Sequence, residues 1–159
     1  VNGEARAYPR RIMEVREMVN DTLGGRDLGI PYCTLCGAMQ AWFTDGLPEG
    51  IERPILRTSG LLIRSNKVMY DIRTHSVFDT FLGRAVTGPL AERGLELEQA
   101  TVITTDWGSW KREHPETSWS RRWRSAGISI SATAAMRTAR SSRWAMSTRA
   151  CRCTRMSSE

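Results

Sequence analysis

Short runs of alternating apolar and polar residues dominate the first 117 residues of the chain. From Met39 to Phe43, for example, the pattern repeats at every second position, which is typical of a half-buried strand. Glycine, proline and asparagine residues separate these runs, as turns between strands require. The pattern predicts strands at residues 5–8, 28–32, 39–43, 55–58, 61–64, 68–71, 77–81, 85–87 and 102–104.

One segment near the start has helical spacing instead. Ile12, Val15 and Val19 recur at intervals of three and four residues after Pro9, a residue that suits a first helical turn. The spacing predicts a helix that ends in the turn residues from Asn20 onwards.

A second short helix is predicted from Trp107 to His114, with Asp106 as its N-cap and Pro115 as its stop. Strands therefore outnumber helices, and the turns between them are short. The predicted fold class is α+β: a single small domain dominated by short antiparallel strands with two short helices.

The composition changes abruptly after Thr117. Residues 118–159 contain nine arginines and a single acid, Glu159, for a charge of +8 against +6 for the whole chain. The sequence pI near 9.7 would ordinarily indicate a nucleic-acid or anionic-membrane partner. Because the positive charge belongs to this tail, the remainder makes no firm case for nucleic acid. We therefore divide the chain into a domain at 1–117 and a basic low-complexity tail at 118–159.

The tail has the composition of a disordered segment or of a misframed translation. Reading the last base of each codon with the first two of the next through residues 137–153 permits the string DGPIFPVGDVDPRLPV, which has ordinary turn signals. The frameshift hypothesis predicts an interrupted reading frame in the gene; a genuine basic extension is the alternative. The chain starts at Val1, so we expect the domain to be truncated at both ends.

The segment with the clearest chemistry is a two-cysteine turn, Cys33 and Cys36, closed by Gly37. Two sulfurs at this spacing can hold one metal ion or cycle between dithiol and disulfide. Three interpretations stay open at this point: a structural or inert pair, a metal site and a redox pair. For the redox interpretation, position along the chain predicts Cys33 as the more exposed, attacking thiolate.

A metal site would need further ligands, because tetrahedral zinc takes four, or three and a water. The candidates are His75, His114 and Asp71, and the ion would be zinc or copper. None of the three lies at a diagnostic spacing from the cysteines.

Polar residues also collect at the predicted hairpin ends. Ser59, Asp71 and His75 can be written as a hydrolytic triad, although no nucleophile-elbow motif surrounds the serine. Asn66 is a further residue that could line a site.

Asn20 and Asp21 lie beside a glycine pair and could present an amide and a carboxylate to the cysteine turn. Helix-ending turn chemistry is the alternative role for both residues.

Several motifs in a fixed order carry a family resemblance across residues 1–117. They are GEARAYP, EMVNDTLGG, IPYCTLCG, LRTSGLLIRSNKVMYD, THSVFDTFLGRAVTGPL and a Trp-rich segment ending in HPET. In this order they resemble the bacterial and archaeal family of domain of unknown function 3179. Many members look exported or lipid-anchored, so the resemblance implies an extracytoplasmic location. No signal peptide or membrane-spanning segment is evident in the sequence itself.

These features favour one main functional hypothesis. The cysteine turn binds a transition metal or acts as an extracytoplasmic thiol pair. A noncatalytic ligand-binding module with structural cysteines is the alternative, and a serine hydrolase is a third, weaker one. Substrate and oligomeric state do not follow from the sequence.

Overall fold

The computed structural model describes residues 1–119 and, beyond them, one further strand at 133–136. The strands are β1 (Arg6–Pro9), β2 (Met18–Leu23), β3 (Arg26–Cys33), β4 (Ala38–Met39), β5 (Trp42–Phe43), β6 (Leu56–Ile63), β7 (Asn66–Asp71), β8 (Val77–Asp79), β9 (Arg84–Thr87), β10 (Val102–Thr105), β11 (Ser118–Trp119) and β12 (Thr133–Met136). The helices are α1 (Arg10–Arg16), α2 (Pro89–Glu92) and α3 (Trp107–Glu113). The predicted α+β class is confirmed.

The described strands form three sheets of four strands each. The first has the order β10-β12-β1-β11, in which only the β1–β11 pair is parallel. In the second, β3 pairs antiparallel with β2, β4 and β5. The third, β6-β7-β8-β9, connects consecutive strands by antiparallel pairing. Short strands joined by short turns thus account for most of the architecture, as the alternating pattern predicts.

The first helix is shorter than the sequence predicts. It ends at Arg16 because Glu17 adopts a left-handed conformation, with φ of 55°, and its amide donates to the carbonyl of Met13. The chain then enters β2, which buries Val19, whereas Val15 is 81% exposed. The helical spacing of these two valines was therefore coincidental, and the predicted helix beyond Arg16 is wrong.

Two other differences concern the third sheet and the helix beside it. The strands predicted at 55–58 and 61–64 are one strand, β6, whose register with β7 shifts between Thr58 and Leu62. Gly60 lies inside this irregularity with φ of +76°. A short helix, α2, follows Gly88 and was not among the two helices predicted from the sequence. The predicted Asp106 cap is confirmed, because its side chain accepts from the amide of Ser109.

Two buried clusters meet where the second and third sheets lie against each other. One is centred on Tyr8 and Ile30, and the other on Leu56 and Phe78. Gly29 of β3 makes the approach possible, because a Cβ there would lie 2.5 Å from a methyl carbon of Leu56. A larger side chain at this position would therefore require Leu56 to move.

Most of the predicted tail falls on residues 120–132 and 137–159, which lie outside the described residues. The predictions of disorder and of a frameshift concern those residues. In the described part, β11 and β12 lie beyond position 117 and pair with β1.

Candidate functional site

The cysteine turn connects two strands of the second sheet. Strand β3 ends at Cys33, β4 begins at Ala38, and these two residues pair across the turn. Gly37 closes the turn with φ of +64°, a conformation that glycine adopts without a side-chain clash. Cys33 is only 2% exposed, whereas Cys36 is exposed, and both thiols are free. The expectation that Cys33 is the more exposed sulfur is therefore wrong, since β3 carries it into the interior.

The two sulfurs differ in their electrostatic surroundings. Burial raises the pKa of Cys33, but hydrogen bonds from the Cys36 thiol and from the backbone amides of Cys36, Lys67 and Leu35 outweigh it, so the net pKa is lowered. The pKa of Cys36 is raised, first by burial and then by the hydrogen bond that its thiol shares with Cys33. Cys33 is therefore the sulfur that gives up its proton first, and Cys36 is the one that keeps it longer.

Asn66, the first residue of β7, lies against the exposed thiol. The Cys36 sulfur is 3.2 Å from Asn66 Oδ1, so the one proton of Cys36 has two acceptors, this oxygen and the Cys33 sulfur. Asn66 is 1% exposed, and its Nδ2 has no hydrogen-bond partner among the described residues. Rotation of the amide would place Nδ2 against the sulfur instead. This buried amide keeps hydrogen-bonding capacity beside the thiols, which is uncommon for a buried group.

An ion pair adjoins the cysteine turn. The Lys67 side chain is 6% exposed, and its Nζ lies 2.7 Å from Glu17 Oε2. Lys67 lowers the pKa of Glu17, whose Oε1 also accepts from the Thr34 hydroxyl of the turn at 3.1 Å. We call Glu17, Cys33, Cys36, Asn66 and Lys67 the thiol cluster. Asn66 was a sequence candidate, whereas Glu17 and Lys67 were missed because fifty positions separate them.

The predicted metal ligands are not brought together. Within residues 1–119, no group of three or more His, Cys, Asp or Glu side chains is placed to hold a metal ion. His75 is an exposed turn residue with φ of 57°, and His114 caps α3, where its ring lies 4.1 Å from that of Trp110. The predicted completion of a Cys33–Cys36 site by these histidines or by Asp71 is thus not met.

The motifs that carried the resemblance form most of the three sheets and the thiol cluster. A family model described as "Protein of unknown function (DUF3179)" matches residues 1–122. The chain belongs to this family. No curated protein and no solved structure matches it. In the part of this DUF3179 chain that the structure describes, no helix is long and apolar enough to span a bilayer.

In this DUF3179 chain the hydrolytic candidates bond to the backbone. The Ser59 hydroxyl donates to the carbonyl of Val68 at 2.6 Å and accepts from the amide of Leu61 at 3.1 Å. Asp71 accepts from the amides of Ile55 and Thr74 and from the Thr74 hydroxyl. Across the described residues, no hydrogen bond joins the serine to Asp71 or to the histidine of the proposed triad. These contacts fit structural roles.

Asn20 and Asp21 also differ from their predicted role at a helix end, since both lie within β2. Asn20 Nδ2 donates to the carbonyl of Leu56 at 2.8 Å, and Asn20 Oδ1 accepts from the amide of Leu56 at 3.0 Å. Asp21 accepts from the Tyr8 hydroxyl at 2.8 Å and pairs with Arg6 at 2.9 Å. Neither residue bonds to the cysteines. In this DUF3179 protein they join elements of the fold.

Proposed function

We propose that this DUF3179 domain is a thiol–disulfide exchange module whose working pair is Cys33 and Cys36. The observation that supports it is the difference between the two sulfurs. Cys33 is buried and its thiolate is stabilised by hydrogen bonds, whereas Cys36 is exposed. A dithiol pair needs no third residue, which agrees with the scattered histidines. The family resemblance adds an extracytoplasmic location to the proposal. Disulfides form and persist in such compartments.

The exchange follows from the shared proton. In the singly deprotonated pair, the Cys36 thiol gives its proton to the Cys33 thiolate, and the Cys36 thiolate then attacks one sulfur of a partner disulfide. A mixed disulfide forms, and the second partner sulfur leaves as a thiolate, which takes the proton from Cys33. The Cys33 thiolate then attacks Cys36, which closes the Cys33–Cys36 disulfide and releases the first partner sulfur as a thiolate. The two electrons pass from the protein's sulfurs to the partner's, and a partner dithiol drives the reverse reaction.

A transition-metal site is a second candidate, for a specific reason. Backbone amides of Leu35 and Cys36 donate to the Cys33 sulfur, and that of Ala38 donates to the Cys36 sulfur. Amide donors to both sulfurs stabilise metal-bound thiolates. Two thiolates suit a soft ion such as copper(I) better than zinc, which requires more ligands.

Exchange with a soluble aromatic disulfide probe tests the proposal. The experiment uses the full chain with Cys151→Ser and Cys153→Ser, so that only the two sulfurs of the turn react. Cys36→Ser should slow the exchange by roughly tenfold or more, because the remaining sulfur is buried. Cys33→Ser should instead trap a stable mixed disulfide on Cys36, visible as an adduct by intact mass spectrometry.

Two results would overturn the proposal. One is equal reactivity of both single variants with no trapped adduct. The other is a pair that stays reduced in oxidised dithiothreitol but binds copper(I) in a one-to-one complex that Cys36→Ser abolishes, which would favour the metal candidate. Ser59→Ala is the matched control, because its hydroxyl contacts only backbone groups.

A further inference from the structure

A groove of about 810 Å³ lies along β2 and β6, and neither Cys33 nor Cys36 lines it. Four arginines line it, Arg16, Arg53, Arg57 and Arg73, against a single acid, Asp21. The volume falls within the range of small-molecule sites. A predominance of guanidinium groups in a concave surface favours oxyanions, because each can bind a carboxylate or phosphate through two hydrogen bonds.

Two of these arginines are held by acids of the protein itself. Arg53 pairs with Asp27 at 2.9 Å, and Arg73 pairs with Glu52. Arg73 also donates to the backbone carbonyl of Arg53 at 3.2 Å, which ties the two neighbouring side chains together. These contacts fix one wall of the groove and largely neutralise it.

The other two arginines have no such neutralisation. Arg16, at the end of α1, and Arg57, on β6, are exposed, and no hydrogen bond or ion pair holds either guanidinium within the described residues. Two unpaired cations thus face a concave surface from different elements. This arrangement leaves a surplus of positive charge that a bound anion would satisfy.

The one lining acid does not cancel this surplus. Asp21 is already paired with Arg6 at 2.9 Å and accepts from the Tyr8 hydroxyl at 2.8 Å. Burial and the neighbouring Asp21 carboxylate raise the pKa of Tyr8, so the phenol remains a hydrogen-bond donor. The carboxylate is therefore neutralised by Arg6 and Tyr8, neither of which lines the groove.

Two hydrogen bonds join the strands that border the groove. Asn20 makes two hydrogen bonds to Leu56, which lock β2 to β6 where the groove runs. Partly buried Met18 and Ile55 add apolar surface beside the charged groups. A preformed site of this kind loses little conformational entropy on binding.

We propose that this groove binds a small polyanion carrying two or more carboxylate or phosphate groups, with Arg16 and Arg57 each taking one group. The site uses no atom of the thiol pair, so it stands whether or not the exchange function does. Its ligand is a small molecule, because the groove is local and is bounded by the neutralised arginine wall.

Isothermal titration of the full chain with citrate and, separately, with pyrophosphate tests this site. The groove variant is Arg16→Gln with Arg57→Gln. The control is Arg11→Gln with Arg84→Gln, which removes the same charge from exposed arginines outside the groove that lack side-chain partners among the described residues. We expect the groove variant to lose at least about tenfold in affinity and the control to stay within about twofold of the parent.

The two anions separate the chemical classes, since tighter binding of citrate indicates a carboxylate ligand and tighter binding of pyrophosphate a phosphate ligand. Absence of binding by the parent chain would overturn the proposal. Equal loss in both double variants would also overturn it, because net charge alone would then account for the affinity. Unchanged binding in the groove variant would place the anion elsewhere, for example on the arginine-rich residues 118–159. Backbone amide shifts in β2 and β6 provide a second measurement that does not depend on the variants.

Discussion

Two regions of the molecule are equally rich in polar residues but use them differently. In the turn formed by residues 71–76, the Asp71 carboxylate accepts three hydrogen bonds, and the Thr74 hydroxyl bonds to both Asp71 and Ser76. The Ser76 hydroxyl in turn accepts from the amide of Leu90. In the thiol cluster, by contrast, Asn66 Nδ2 has no partner within the part of the chain that the structure describes, and Cys36 is exposed.

This difference distinguishes polar groups that stabilise the fold from polar groups that can act on a ligand. Polar groups that satisfy one another stabilise the fold and have nothing left for a ligand. Polar groups that stay unsatisfied or reactive at the end of folding are the ones available for chemistry. A list of polar residues in the sequence includes both kinds, and only their partners in the fold distinguish them.

Among the substitutions that test this difference, Asp71→Ala should cause the largest loss in the free energy of unfolding. The substitution removes a buried acceptor and leaves the partly buried amides of Ile55 and Thr74 without a partner, and we expect a loss of about 3 kcal/mol in the free energy of unfolding. Urea unfolding measures it. Asp106→Ala, which removes one exposed helix cap, should lower the free energy of unfolding by clearly less than Asp71→Ala does. A variant of Asp71 that keeps its stability but loses disulfide exchange would show that this turn acts together with the thiol cluster.

A smaller effect should appear with Glu17→Gln, and it should disappear as the pH falls. The folded pKa of Glu17 is lowered, first by Lys67, so its ion pair stabilises the fold above the ordinary value near 4.5 and is lost as pH falls through the folded value. We expect the parent to lose about 1 kcal/mol more than the variant between neutral pH and pH near 3. Urea unfolding at both pH values provides the measurement. Glu113→Gln, exposed and without an ion pair in the described region, should behave as the parent.

The smallest effect should come from His75→Ala. This side chain is exposed and lies outside the thiol cluster, so stability should change by no more than about 0.5 kcal/mol and disulfide exchange should not change. Urea unfolding and the exchange assay test both statements on one preparation. Loss of exchange or of copper binding in this variant would break the distinction between the two regions.

Many of the strands were predictable because their pattern is local, although β2 was missed and the strand predicted at 39–43 is two short strands, β4 and β5. Alternation at every second residue and the intervening turn signals located the hairpins of the third sheet to within a few residues. The end of α1 was not predictable, because it depends on the left-handed conformation of Glu17, a residue that rarely adopts it. Nor could the sequence show that Val15 faces solvent.

The candidate site was predictable only in part. The cysteine spacing identified Cys33 and Cys36, and the predicted turn drew attention to Asn66. Lys67 could not be found, because a lysine within a strand ordinarily indicates a solvated face, and its burial depends on a partner fifty positions away. The exposure of the two sulfurs also depends on how β3 enters the core, which sequence spacing does not record.

Asn20 has a mechanical consequence for the molecule. With one donor and one acceptor it imitates a strand residue, and it bonds to both backbone groups of Leu56 on the neighbouring sheet. Separation of the two sheets at this point must break both hydrogen bonds together. The contact between the sheets is therefore either fully made or fully lost. Whatever enters between β2 and β6 therefore meets walls of fixed spacing.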